Sequence, residues 1–166
     1  MTDATRLHLS LAGPDDTDRL GRIIAPLLEP GDCLLLSGGL GAGKTHLARA
    51  IIRTLLQASG TDEDVPSPTY TIVQTYSAGD LEIVHADLYR LTSRDEIVEL
   101  GLEDAFATAL TLIEWPERLG RDAPAGALAI RLDPARNGDA RLAEIASSAP
   151  LWADRLDRLA RLWDAR

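Results

Sequence analysis

The chain has 166 residues, enough for one domain with a substantial core. Lys+Arg total 17 against Asp+Glu 26, a net charge of −9, so the surface repels phosphate backbones and anionic lipid. One cysteine, Cys33, excludes an internal disulfide and a cysteine metal site.

No apolar run approaches the ~20 residues of a membrane span, and Met1-Thr2-Asp3-Ala4 lacks a basic stretch leading into an apolar one. A cytoplasmic protein with no membrane association is expected. The chain carries a single lysine, Lys44; the other basic residues are arginines.

In chain order, Arg6 to Leu11 alternates apolar and polar residues and predicts a half-buried strand. Pro14-Asp15-Asp16-Thr17 supplies a turn and helix cap. Leu20, Ile23, Ile24, Leu27 and Leu28 then follow helical spacing until Pro30-Gly31-Asp32. Cys33-Leu34-Leu35-Leu36 is continuously apolar, as in a parallel strand covered on both faces. A glycine-rich loop leads into a helix from Lys44 to Ala58, with a stripe of Leu47, Ala48, Ile51, Ile52, Leu55 and Leu56. Thr61 to Pro68 reads as an exposed loop.

Tyr70 to Tyr76 is dense in β-formers, and Ala78-Gly79-Asp80 turns it into Leu81–Val84, predicting a hairpin. Ser93-Arg94-Asp95-Glu96 has the capping-box pattern of a helix start. Leu110 to Ile113 is a second buried-strand candidate. Segments 127–132 and 141–146 flank Pro134 and Asn137-Gly138-Asp139, predicting another hairpin. The tail from Leu151 to Trp163 is helical, with Trp152, Leu156, Leu159 and Trp163 on one face, and both tryptophans are expected in the core. Together these elements predict one α/β domain over 1–166. Its sheet is mixed but mostly parallel, flanked by helices, with antiparallel hairpin additions.

Gly38-Gly39-Leu40-Gly41-Ala42-Gly43-Lys44-Thr45 matches G-x-x-x-x-G-K-[ST]. Its glycines allow a turn that brings amide N–H groups against phosphate oxygens, and the helix that follows aims its positive end at them. Lys44 is then expected on the β- and γ-phosphates and Thr45 on Mg²⁺, with a nucleotide as the ligand. Leu40, Ala42 and His46 join the cradle, although a solvent-facing role suits His46 equally. A carboxylate near the metal should follow an apolar strand. Glu114, after Leu110–Ile113, and Asp87, after Ile83–Ala86, both qualify; the alternative for either is a solvated acid at a strand end. His85 is expected to be structural, and Ser67-Pro68-Thr69 sits where a γ-phosphate-sensing hydroxyl can lie.

Five segments carry a resemblance: GGLGAGKTHLARA (38–50), SPTYTIVQTY (67–76), HADLYRL (85–91), ELGLEDAF (99–106) and LIEWPERLG (112–120). In order and spacing the chain resembles the bacterial tRNA threonylcarbamoyladenosine biosynthesis ATPase family, TsaE. The resemblance implies a small P-loop fold and slow, partner-activated ATP hydrolysis with Mg²⁺ in support of threonylcarbamoyl modification of tRNA position 37. It implies as partners the threonylcarbamoyl transferase subunit and its paralogous partner protein, with tRNA reached only through that complex. By position it makes Lys44 the Walker lysine, Thr45 and Glu114 the Mg²⁺ ligands, Asp87 and Thr69 further catalytic residues, and Thr17 a contact near the base. Arg141 or Arg136 corresponds to an arginine near the base. Gly39 stands where the family commonly has an acid, and His46 where Thr or Ser is more usual.

Two other readings compete. A small-molecule kinase shares the loop but needs an acceptor pocket and usually an arginine-rich lid, for which Arg90, Arg94 and Arg118 could be misread. A nucleotide-gated interaction protein would bind without appreciable turnover.

Overall fold

The fold was obtained as a computed structural model, which describes residues 3–165; residues 1–2 and 166 of the expected domain lie outside it. Seven strands form one sheet: β1 Thr5–Leu11, β2 Cys33–Ser37, β3 Val73–Ala78, β4 Leu81–Asp87, β5 Leu110–Glu114, β6 Leu128–Pro134 and β7 Arg141–Ser147. Their spatial order is β1-β7-β6-β2-β5-β4-β3. The inner four, β6, β2, β5 and β4, run parallel. The antiparallel strands are added outside them: β7 and β1 on one edge, β3 on the other. This is the mixed α/β architecture that the patterning predicts.

The continuous apolar runs are explained by coverage on both faces. All five residues of β5 are buried. On β2, Leu34 and Leu36 enter a core shared with α1 (Pro14–Ile24), α2 (Lys44–Ala58) and α5 (Trp152–Asp164). Cys33 and Leu35 face the other way, toward the smaller cluster under α3 (Arg94–Glu99) and α4 (Leu102–Thr108). At Gly21 a Cβ would lie 2.6 Å from that of Ala50, so the glycine sets how closely α1 approaches α2.

Trp152 and Trp163 are buried, as expected, and the Ser93–Glu96 capping box is formed in full. Arg19 donates to the Trp163 carbonyl at 2.7 Å and lies over its ring, tying α1 to the end of α5.

Three expectations are corrected. The strand predicted from Tyr70 starts only at Val73: Ile72 has φ +69, and its N–H bonds back to the Pro68 carbonyl at 2.7 Å, closing a turn where β-formers suggested a strand. Thr17 sits inside the first turn of α1, whose N-cap is Gly13. The loop 61–68 is not uniformly exposed, because Val65 is buried and its carbonyl accepts from Arg49 at 2.6 Å. Helix α4 and the 3₁₀ segment Pro116–Asp122 had no clear sequence signal.

Candidate functional site

Ligands of open α/β sheets bind at the carboxyl ends of the parallel strands. Here β2, β4 and β5 all end at one cleft of 490 Å³, a size that takes small-molecule ligands. It is lined by Thr17, Leu40–His46, Thr69, Asp87, Glu114 and, beyond the sequence-predicted set, Pro14, Tyr89, Trp115, Asp139 and Arg141. Residues scattered between positions 14 and 141 thus meet in one place.

The loop from Gly38 to Gly43 joins β2 to α2. Gly38 has φ +138, and a Cβ there would lie 2.3 Å from the Leu132 carbonyl oxygen, so β6 leaves room for glycine alone. Gly43 is the N-cap of α2 at φ +103 and offers no side-chain cap, and no acid sits in the first turn. The opening N–H groups of α2 therefore face the cleft without an acidic partner, next to the positive end of the helix. Gly38 and Gly39 do not line the cleft. Their carbonyls instead accept from Lys44 Nζ, both at 2.7 Å.

Lys44 is 4% exposed, and its ammonium lies 4.3 Å from the centre of the Trp115 ring. Burial lowers its pKa below the ordinary lysine value, an effect opposed by Glu114, Asp87 and Glu117. Trp115 packs in turn on Tyr89, with ring centres 4.8 Å apart. Its backbone is left-handed, φ +57; Trp115 and Ile72 are the two non-glycine residues with positive φ among the described residues, one after β5 and one before β3.

Glu114 ends β5 and is 2% exposed; Asp87 ends β4 and pairs with it in register. The Thr45 hydroxyl donates to Glu114 Oε1 at 2.5 Å, and His85 Nε2 lies 2.7 Å from Oε2. Asp87 Oδ1 accepts the Tyr89 N–H at 3.0 Å. Thr69 is exposed at the rim, its hydroxyl 2.7 Å from that of Ser67. His46 Nε2 is 2.8 Å from Asp18 Oδ1, which ties the start of α2 to α1.

Arg141 is the arginine that reaches the loop. It enters from the first position of β7 and donates to the carbonyls of Gly41 at 3.1 Å and Ala42 at 3.3 Å. Arg136 is exposed and does not line the cleft. Trp115 was missed in the sequence although it directly follows Glu114, and Asp139 although it sits in the recognised Asn137-Gly138-Asp139 turn. Tyr89 lies two residues after Asp87, which was the available signal.

Arg90, Arg94 and Arg118 do not form a lid. Arg90 donates to the Tyr70 carbonyl, Arg118 to the Tyr89 carbonyl, and Arg94 pairs with Asp122; none lines the cleft.

The donor set fits a hard divalent cation held with a phosphate. Among the described residues no group of three or more His, Cys, Asp or Glu forms a complete protein cage. Mg²⁺ characteristically takes one or two protein oxygens and fills its octahedron with phosphate and water. Thr45 Oγ1 and Glu114 supply adjacent oxygens, with Asp87 beside them. Two buried carboxylates face one ammonium here, an excess of negative charge that a cation would balance.

The family model described as threonylcarbamoyl adenosine biosynthesis protein TsaE matches residues 11–142. A tRNA threonylcarbamoyladenosine biosynthesis protein TsaE from Rickettsia conorii is 44% identical over 108 residues, covering 65% of this chain and 60% of the relative. The chain likewise spans 62% of the Rickettsia felis protein of that name. A relative so named from Treponema pallidum is 34% identical, over 75% of this chain and 89% of its own. In Bacillus subtilis the like-named relative is 34% identical, over 72% of each. The crystal structure of Bacillus subtilis YdiB superposes with a TM-score of 0.77 at 25% identity, covering 97% of this chain and 98% of the other. No helix among the described residues is long and apolar enough to cross a membrane. The chain belongs to the TsaE family of threonylcarbamoyl adenosine biosynthesis proteins.

Proposed function

We propose that the protein is a P-loop ATPase that works with Mg²⁺ in threonylcarbamoyladenosine modification of tRNA, in the cytoplasm. The observation that carries the reading is the convergence at one strand end of a glycine-rich loop, an uncapped helix start, the chain's single lysine, and the Thr45–Glu114 pair.

The triphosphate would lie along the loop N–H groups from Gly41 to Thr45. On binding, Lys44 would exchange the carbonyls of Gly38 and Gly39 for the β- and γ-phosphate oxygens. Those carbonyl bonds already hold the ammonium beside the loop, so only its tip need move. Because burial disfavours the lone ammonium, a phosphate partner gains more from it than it would in water. The Thr45 hydroxyl donates its hydrogen bond to Glu114 and keeps lone pairs for the cation. Mg²⁺ supplies neutralisation of charge on the transferring phosphoryl group. Asp87, at the adjacent strand end, would orient the attacking water, and Thr69 at the rim would supply the hydroxyl that senses the γ-phosphate. Thr17 and Arg141 also line the cleft and would face the nucleoside. The Trp115 ring, packed on Tyr89, shields Lys44 from water.

Among the described residues no arginine lining the cleft other than Arg141 is placed to act as a finger, and Arg141 is occupied by loop carbonyls. Slow turnover alone and faster turnover in complex follow from that. The partners proposed are the threonylcarbamoyl transferase subunit and its paralogue. The acidic surface, at net −9, suits docking on a basic protein face better than gripping tRNA directly. The three arginines that could be misread as a kinase lid are engaged elsewhere and do not line the cleft.

The test is Lys44→Ala. ATP binding and phosphate release should fall at least about 100-fold, with the far-UV spectrum and cooperative melting retained. Normal turnover by folded Lys44→Ala protein would refute the reading. Turnover that appears only when a nucleoside, sugar or amino acid is added would return it to a kinase.

A further inference from the structure

His85 is fully buried, yet it lies in no metal cluster and does not line the cleft. It comes from β4, directly opposite Leu112 of β5, so its side chain sits on the same sheet face as Glu114 two positions on. Its Nε2 is 2.7 Å from Glu114 Oε2, while Oε1 is already taken by the Thr45 hydroxyl.

An ionised carboxylate only accepts hydrogen bonds, so Nε2 must carry the proton. Nδ1 is buried with no partner, so Nε2 is the ring atom that the carboxylate holds.

We propose that His85 is a positioning residue: by holding Oε2 it fixes the rotation of the Glu114 carboxylate, leaving Oε1 as the oxygen presented to Thr45 and the cation. This inference rests on the reading of Glu114 as the magnesium-side carboxylate. A carboxylate with one oxygen pinned has a single edge to offer, whereas one held only by the Thr45 hydroxyl can rotate and offer either oxygen. Groups that orient ligand side chains in this way change metal affinity by about 10–100-fold when removed. The pairing is invisible to a reading of local sequence, which sees a histidine in an apolar strand 29 residues from Glu114.

The experiment is calorimetric titration of the full chain with ATP, in EDTA and in saturating MgCl₂, for His85→Leu, His85→Asn and His85→Gln. Glutamine places its amide nitrogen close to the imidazole Nε2 position; asparagine places its own near Nδ1 and cannot reach. The affinity gain from Mg²⁺ should shrink about tenfold in His85→Leu and His85→Asn, and return to within about twofold of wild type in His85→Gln. Affinity in EDTA should be unchanged in all three. A full Mg²⁺ gain in His85→Asn overturns the proposal, as does an equal loss in His85→Asn and His85→Gln, or a loss of the same size in EDTA. If His85→Leu does not fold, the Asn–Gln contrast alone decides. A wild-type protein that binds ATP with no gain from Mg²⁺ would instead sink the reading of Glu114 and this inference with it.

Discussion

The two ends of the central strands hold buried acids in different ways. Asp32 precedes β2 at the amino end and is 9% exposed; its Oδ2 accepts Arg155 Nη1 at 2.6 Å and the Glu29 N–H at 2.7 Å. Arg155 spends its other nitrogen on Glu29 at 2.8 Å and stacks on Trp152. There the buried acid is held directly by a guanidinium. At the carboxyl end, Glu114 and Asp87 receive a hydroxyl, an imidazole and one backbone N–H, with no arginine in contact. The backbone differs too: both non-glycine residues with positive φ flank the carboxyl end. Under the proposed function, the acid that holds the fold is paired by the chain, and the acids at the carboxyl end are left for a ligand's cation to balance.

Exchanging charge for a neutral isostere at each end tests this contrast. Glu114→Gln should lower ATP turnover by about 100-fold or more, because the cation loses its anchoring carboxylate. Its ligand-free melting midpoint should stay within about 2 °C of wild type, since removing a buried charge offsets the poorer match to His85. Asp32→Asn should do the reverse. It leaves Arg155 without its shorter ion pair and costs about 2 kcal/mol, or roughly 4–8 °C in a domain of this size, with turnover unchanged. Thermal denaturation and phosphate release on the two purified variants decide the matter. A large loss of stability in Glu114→Gln, or of turnover in Asp32→Asn, would break the comparison.

The same contrast explains what was legible beforehand. Lys44 and Thr45 could be read because their chemistry is local: one loop and one helix start carry it within eight residues. Glu114 and Asp87 could be read because each ends an apolar strand, a pattern that also reports their end of the sheet. Arg141 remained one of two choices, since only folding brings β7 against a loop 100 positions earlier. Arg155 lies 123 positions from Asp32, and no periodicity links them. The turn at Ile72 was hidden for another reason. Tertiary pairing decides the backbone there, with the Ile72 carbonyl accepting the Asp87 N–H at 2.8 Å, and it overrides a β-branched residue's aversion to positive φ.

The smallest effect concerns Cys33, next to Asp32 at the structural end. Burial pushes its thiol up to about 11; the neighbouring Thr111 side chain opposes this and the Asp32 charge adds to it. The sign follows from proton counts. Between pH 9 and 11 the unfolded chain releases the thiol proton while the native chain keeps it, so stability falls as pH rises through that window. At pH 10 the loss amounts to about 1 kcal/mol. Other groups titrate in the same range, among them Lys44, whose lowered pKa pulls the other way. The observable is therefore a difference: urea denaturation at pH 8 and pH 10 for wild type and Cys33→Ala. The alanine variant starts lower, because a buried side chain has been trimmed, but loses about 1 kcal/mol less between the two pH values. Equal losses would mean that the thiol at the amino end titrates as freely as in the unfolded chain. That end would then lack the closed interior that sets it apart from the cleft.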